Sequence, residues 1–145
     1  MGTTDLDLKR MYPKLKGIYS RDELHDIPQG ACIINLDKHR YGGTHWVSIY
    51  RKGNVIFYFD SFGEIAPEKL DKLMCPYVFN GTDIQGLNSS SCGQFCVAFL
   101  KHMENNPTIK AFGDFLNYFS TNYIQNEDVL KCLLGKGNKN VLDAF

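Results

Sequence analysis

At 145 residues the chain lies in the range of one domain and can bury a substantial core without disulfides or metals to hold it. Its 16 lysines and arginines balance 16 aspartates and glutamates, so net charge calls for neither a nucleic acid nor an anionic membrane as obligatory partner. Apolar runs such as VIFYF are too short to cross a bilayer and the opening MGTTDLDLKR lacks the apolar centre of a secretory signal, so a soluble intracellular protein is expected.

The first predicted element is a short helix over TDLDLKRMY, stopped by Pro13; a polar stretch then runs to Pro28-Gln29-Gly30, and this N-terminal region reads as peripheral. ACIINL reads as a buried strand. HRYGG is a loop into THWVSIY, RKGN and VIFYFD, which form a hairpin of two apolar, aromatic-rich strands. SFGEIAP is a turn, PEKLDKLM a short helix, and YVFNGTDIQ a further strand region interrupted at Asn80-Gly81. From Ser91 the period becomes helical, with Cys92, Phe95, Cys96, Phe99, Leu100 and Met103 on one face that should be buried. Asn105-Asn106-Pro107 ends that helix, and two more follow, over TIKAFGDFLNYF and over NEDVLKCLL, the last closed by Gly135. Strands first and helices last imply an α+β domain, its helices packed on a largely antiparallel sheet.

The hairpin couples an imidazole to a carboxylate. With Lys52 and Gly53 as the turn, Ile49 faces Ile56, Val47 faces Tyr58 and His45 faces Asp60. Moving the turn to Gly53-Asn54 shifts the pairing by two and makes His45 and Asp60 diagonal neighbours on the same face. An isolated pair of this kind serves equally as a structural hydrogen bond.

Five cysteines, Cys32, Cys75, Cys92, Cys96 and Cys132, make an odd count at irregular spacing, which argues for thiols rather than a disulfide framework. Cys92 and Cys96 stand one helical turn apart with His102 nearby, but no second ligand pair at finger-like spacing exists, so no metal is expected. With Ser91 as N-cap, Gln94 falls at the third helical position of a capping box and Cys92 opens the helix, where the dipole favours a thiolate. Gly93 leaves room for a backbone or substrate to approach. Cysteine is also among the most often buried residues, and position alone does not separate a nucleophile from a core thiol.

Taken in order, GTHW, YFDSFG, Gln85 and SSSCGQFC resemble the adenovirus endopeptidase and ubiquitin-like-protein protease superfamily of cysteine proteases, especially the compact enzymes of adenovirus-like viruses, Maverick or Polinton elements and virophages. The resemblance runs roughly from Ile33 to Leu100. It implies one cysteine protease domain over 1–145, with the catalytic cysteine at the N-terminus of a central helix in a papain-like arrangement. It further implies His45 as general base, Asp60 as its orienter, Cys92 as nucleophile and Gln85 as donor to the oxyanion, with no cofactor required. Gln85 precedes Cys92 by seven residues, a spacing like that of the adenovirus enzymes.

Relatives cleave after glycine through a narrow groove, a role for which Gly42, Gly43, Trp46 and Gly93 are the candidates here, although glycines before a strand also make an ordinary turn. The implied substrates are virion precursor polypeptides, met in the virion or in the host cell during assembly. The adenovirus enzyme is activated by DNA and by a disulfide-linked peptide. An activating peptide is therefore a candidate partner, with Cys32, Cys75 or Cys132 able to accept a mixed disulfide, while the basic groups Lys9, Arg10, Lys14, Lys16, Lys136 and Lys139 read as solvated faces rather than a DNA site. Two other readings are an isopeptidase acting on ubiquitin-like conjugates and a non-catalytic binding module on the same fold, against which the four intact motifs argue.

Overall fold

The computed structural model describes residues 3–36, 45–87 and 89–135. Helix α1 (Asp5–Met11) starts at Thr4, whose hydroxyl accepts from the Asp7 backbone while the Asp7 carboxylate accepts from that of Thr4. Strands β1 (Gly17–Ser20), β2 (Gly30–Asn35), β3 (Trp46–Lys52) and β4 (Val55–Phe59) follow, then α2 (Glu68–Met74) and the two-residue β5 (Val78–Phe79). Helices α3 (Cys92–Asn105), α4 (Ile109–Leu116) and α5 (Tyr123–Leu133) complete the described chain. Thr108 and Asn122 cap α4 and α5 through their side chains.

The strands form one sheet in chain order, β1 to β5. Its centre, β2-β3-β4, is antiparallel as expected, while β1 on β2 and β5 on β4 are parallel, so the sheet is mixed. Alternation along β4 sends Phe57 and Phe59 to one face and Ile56 and Tyr58 to the other, and both faces are covered. On the first lie α1, α3 and α4; Phe59 stacks on Phe99 at 5.0 Å between ring centres. On the second, Leu70 and Met74 of α2 pack with Ile34, Val47 and Ile49. The face predicted for α3 is buried throughout, and Val97 and Ala98 are buried as well, because the helix lies centrally between β3 and the flanking α1, α4 and α5.

The N-terminal region is not peripheral. Leu8, Tyr12 and Leu15 enter the core beside α3, and β1 extends the sheet. The segment GIYS is too short to show an alternation of its own, and its parallel partner is set by tertiary packing.

The β3-β4 turn falls at Gly53-Asn54, with Lys52 opposite Val55 and Ile49 opposite Tyr58, so the second of the two expected registers is the one adopted. Gly53 takes a φ of +61°, as a tight two-residue turn of this hand requires. The even shift preserves facing, so the two residues of interest at the hairpin's open end stay on one side of the sheet.

Candidate active site

His45 stands just before β3, and its carbonyl accepts from Leu36 N–H at 2.8 Å, continuing the β2-β3 ladder to the edge of the site. Asp60 stands just after β4. Their side chains meet at 2.7 Å, Nε2 to Oδ1, each only 1% exposed. The carboxylate is aimed by its surroundings: Oδ1 also accepts from Phe62 N–H at 2.8 Å, and Asn80 accepts from Asp60 N–H at 3.0 Å while donating to Asp60 O. The Phe62 ring, in the turn after β4, lies 4.7 Å from the imidazole.

The turn carrying Asp60 closes with Gly63 N–H donating to Asp60 O at 2.8 Å. Gly63 has a φ of +71°, and a Cβ there would come within 2.6 Å of the Thr82 backbone. Gly63→Ala is therefore expected to destabilise the fold by about 2–4 kcal/mol, from left-handed strain plus overpacking. A shift of the urea midpoint equivalent to under about 0.5 kcal/mol would contradict this account of the turn.

Cys92 is the first residue of α3 and is 7% exposed. Its side chain engages that of His45. Burial pulls the ring's pKa down, but hydrogen bonds to Asp60 and Cys92 and the charges of both outweigh it and lift it to about 9. Nε2 is the ring nitrogen engaged by Asp60, and Nδ1 is buried. Cys96, one turn along, contacts the Trp46 carbonyl at 3.3 Å, and burial, with Cys92 adding to it, pushes its thiol well up. Burial likewise raises Cys32 to about 12. No disulfide joins the cysteines.

Gln85, 1% exposed, lies on the loop that leads into α3. Its Oε1 accepts from Ser61 Oγ, and its Nε2 donates to Ser89 O at 3.1 Å and lies 3.2 Å from Ser89 Oγ. Ser91 is the N-cap of α3 by position, but the expected capping box is absent. Its hydroxyl turns away to Glu127 Oε1 at 2.6 Å.

His45 and Asp60 thus meet at the open end of the hairpin beside the start of α3, and Gln85 joins the Asp60 turn through Ser61. In sequence the protease of Equine adenovirus B serotype 2 is 29% identical, over 74% of this chain and 68% of its own length. The chain is homologous to the adenovirus proteases. The proteases of Bovine adenovirus B serotype 3 and Bovine adenovirus 2 are 28% and 27% identical, over 64% and 58% of this chain and 57% and 50% of theirs. The chain thus spans between half and about two thirds of the curated relatives it matches. No family model matches the chain. A crystal structure of an ASFV protease is 20% identical with a TM-score of 0.47, covering 74% of this chain and 43% of that one.

The residues expected on the substrate side fare differently in this adenovirus-protease homologue. Gly43, with Gly42, lies outside the described residues. Trp46 is 4% exposed and its indole N–H donates to Thr3 O at 3.3 Å. A Cβ on Gly93 would overlap Thr3 Oγ1 and press on Leu8 and Trp46. Of the two approaches that glycine was expected to allow, the one seen is that of the chain itself: the N-terminal segment fills the space, and a substrate reaching Trp46 would have to take the place of Thr3.

Asn80, Phe62, Ser61, Ser89 and Glu127 complete the site and were not singled out from the sequence. Ser61 and Phe62 lie within YFDSFG and Ser89 within SSSCGQFC, while the Asn80-Gly81 pair signals only a turn. Glu127 carried no local signal, since it acts on Ser91 from 36 residues downstream. Beside Gln85 a recess of about 480 Å³ is lined by Leu87, Tyr123, Ile124 and Glu127.

Among the described residues no three His, Cys, Asp or Glu side chains are grouped to hold a metal, and His102 is 2.7 Å from the Ala111 carbonyl. Lys9 donates to the carbonyls of Pro13 and Leu15, and Lys14 pairs with Glu104 at 2.8 Å, so part of the N-terminal basic group is already engaged within the chain. Lys136 and Lys139 lie outside the described residues. Of the three thiols considered for a mixed disulfide, Cys75 is exposed and Cys32 and Cys132 are buried. No described helix is long and apolar enough to cross a membrane.

Proposed function

We propose that this protein is a cysteine endopeptidase, one protease domain over 1–145, that cleaves virion precursor polypeptides after glycine. The observation that carries the reading is the buried His45-Asp60 pair set against the Cys92 side chain at the start of α3. The thiolate of Cys92 attacks the scissile carbonyl carbon, and the carbonyl oxygen takes the negative charge. That oxygen is met by the Cys92 backbone N–H and by the Gln85 side-chain amide, whose nitrogen donates to the carbonyl and hydroxyl of Ser89 in the unliganded site and exchanges one of these for the oxyanion. Imidazolium His45 gives its proton to the leaving amine as the C–N bond breaks, leaving a thioester on Cys92. His45 then takes a proton from water as hydroxide adds to the thioester, and collapse releases the carboxylic acid and the thiolate. Asp60 holds the ring tautomer and its positive charge throughout.

Homology to adenovirus proteases supports a virion precursor substrate, and an activating peptide is consistent with the exposed Cys75. The test is mass-spectrometric alkylation at neutral pH. Cys92 is expected to react faster than the exposed Cys75 despite its burial, and to lose that advantage in His45→Ala. Equal rates at the two cysteines, unchanged by His45→Ala, would remove the activated thiol. A ubiquitin-like C-terminal probe that labels Cys92 faster than virion peptides are cleaved would redirect the reading to an isopeptidase.

A further inference from the structure

Two adjacent residues of α5 hold both ends of the loop that joins Gln85 to Cys92. Asn126, fully buried, donates to Ile84 O at 3.0 Å. Glu127 takes the other end: Oε2 accepts from Ser89 Oγ at 2.9 Å and Oε1 from Ser91 Oγ at 2.6 Å.

A carboxylate only accepts, so both serine hydroxyl protons must point at Glu127. Ser89 Oγ then has only lone pairs to offer its remaining neighbours, Gln85 Nε2 and Ser91 N–H, each at 3.2 Å. Those lone pairs, together with the Ser89 carbonyl, accept the nitrogen end of the Gln85 amide and repel the oxygen end. Ser61 completes the alignment by donating to Oε1. Charge on α5 is therefore transmitted through one hydroxyl into the polarity of a side chain on a different element. A flipped amide would set its oxygen against the lone pairs of Ser89 and present an acceptor where the developing oxyanion needs a donor.

We propose that Glu127 is a positioning residue for the peptidase reaction, orienting the Gln85 amide through Ser89. The proposal rests on the protease reading above for its kinetic consequence, while its geometric consequence stands apart from it. It also accounts for the missing capping box: the hydroxyl that would cap α3 is claimed by Glu127.

Glu127→Gln is the closest isostere and can donate to Ser89 Oγ, releasing the constraint. It is expected to lower kcat by about 10- to 100-fold with KM within about twofold, less than the full loss of an oxyanion donor. Alkylation of Cys92 should be unchanged, because the His45-Asp60 pair is untouched and alkylation forms no oxyanion. In a Gln85→Ala background the same substitution should cost less than about twofold, since there is no amide left to orient. Ser89→Ala breaks the same link and should reproduce the kcat effect.

The Gln85 side-chain amide resonances, assigned by their loss in Gln85→Ala, should move in both Glu127→Gln and Ser89→Ala. Unmoved resonances, or a Glu127→Gln penalty that is undiminished in Gln85→Ala, would overturn the proposal. Wild-type protein that cleaves no peptide while those resonances move would instead overturn the protease reading and leave the orienting role standing.

Discussion

Cys92→Ser is expected to lower kcat/KM for peptide cleavage by about 10⁴-fold or more while the protein stays folded, the scale seen when a nucleophile is removed from a coupled site. The substitution keeps the shape of the side chain and its place at the start of α3, yet a hydroxyl does not ionise in the range where His45 holds its proton. On the proposed mechanism the thiolate–imidazolium pair therefore cannot form, and a serine would depend on His45 as a neutral base instead. His45→Ala should fall to a similar level, and combining the two should cost little more than either alone, because the pair acts as one unit. The check is steady-state cleavage of a glycine-containing peptide, with thermal unfolding to show that the core around Cys92 is retained. Activity within tenfold of wild type in Cys92→Ser would place the nucleophile elsewhere. Cys96 would not replace it: it is fully buried against Trp46 O, and its thiol is pushed well up.

How far this site could be read before folding depends on the range of the interaction involved. His45 and Asp60 were legible because a strand repeats every two residues, so any even error in the turn returns both side chains to the same face. Both candidate turns contained Gly53, local chemistry did not choose between them, and the adopted register differs by two without parting the pair. The local cap pattern placed Cys92 at the start of a helix without separating a nucleophile from a core thiol, and it misled about Ser91, whose hydroxyl is drawn to Glu127 by a contact no neighbouring residue announces. Helix α4 begins where expected, capped locally by Thr108, whereas α5 starts at Tyr123 behind an Asn122 cap, three residues before the expected start at Asn126. The N-terminal region was misjudged for another reason. The polar residues of α1 face out and only Leu8 of that helix is fully buried, while β1 owes its existence to a parallel partner beyond a loop. Asn80 belongs with Glu127: an Asn-Gly pair signals a turn, yet what the side chain does is hold the backbone of Asp60 from 20 residues away.

Asp60→Asn is expected to lower kcat/KM by about 10²- to 10⁴-fold and to move the alkaline limb of its pH profile towards neutrality. The sign follows from what holds the ring. His45 ordinarily titrates near 6.5; burial alone would lower that, and the Asp60 hydrogen bond leads the contributions that lift it to about 9. In the wild type the His45 imidazolium therefore survives to about pH 9, and if it protonates the leaving amine as proposed, cleavage should decline above that. The same shift acts on stability. Below about 6.5 the ring is protonated in both folded and unfolded chains and its stabilising contribution is complete; between 6.5 and about 9 the unfolded chain releases the proton that the folded chain keeps, so stability declines and the contribution is gone above that window. Asparagine keeps a hydrogen-bonding oxygen but removes the charge, while the burial that opposes protonation stays. Both the alkaline limb and the stability decline should then move down by about 1–3 pH units. The measurements are kcat/KM from pH 5 to 10 and urea midpoints over the same range, with His45→Gln as the non-titrating control that flattens the stability profile. A limb that stays in place in Asp60→Asn would mean that Cys92 alone sustains the imidazolium, and Asp60 would be left holding only the turn through Phe62 N–H.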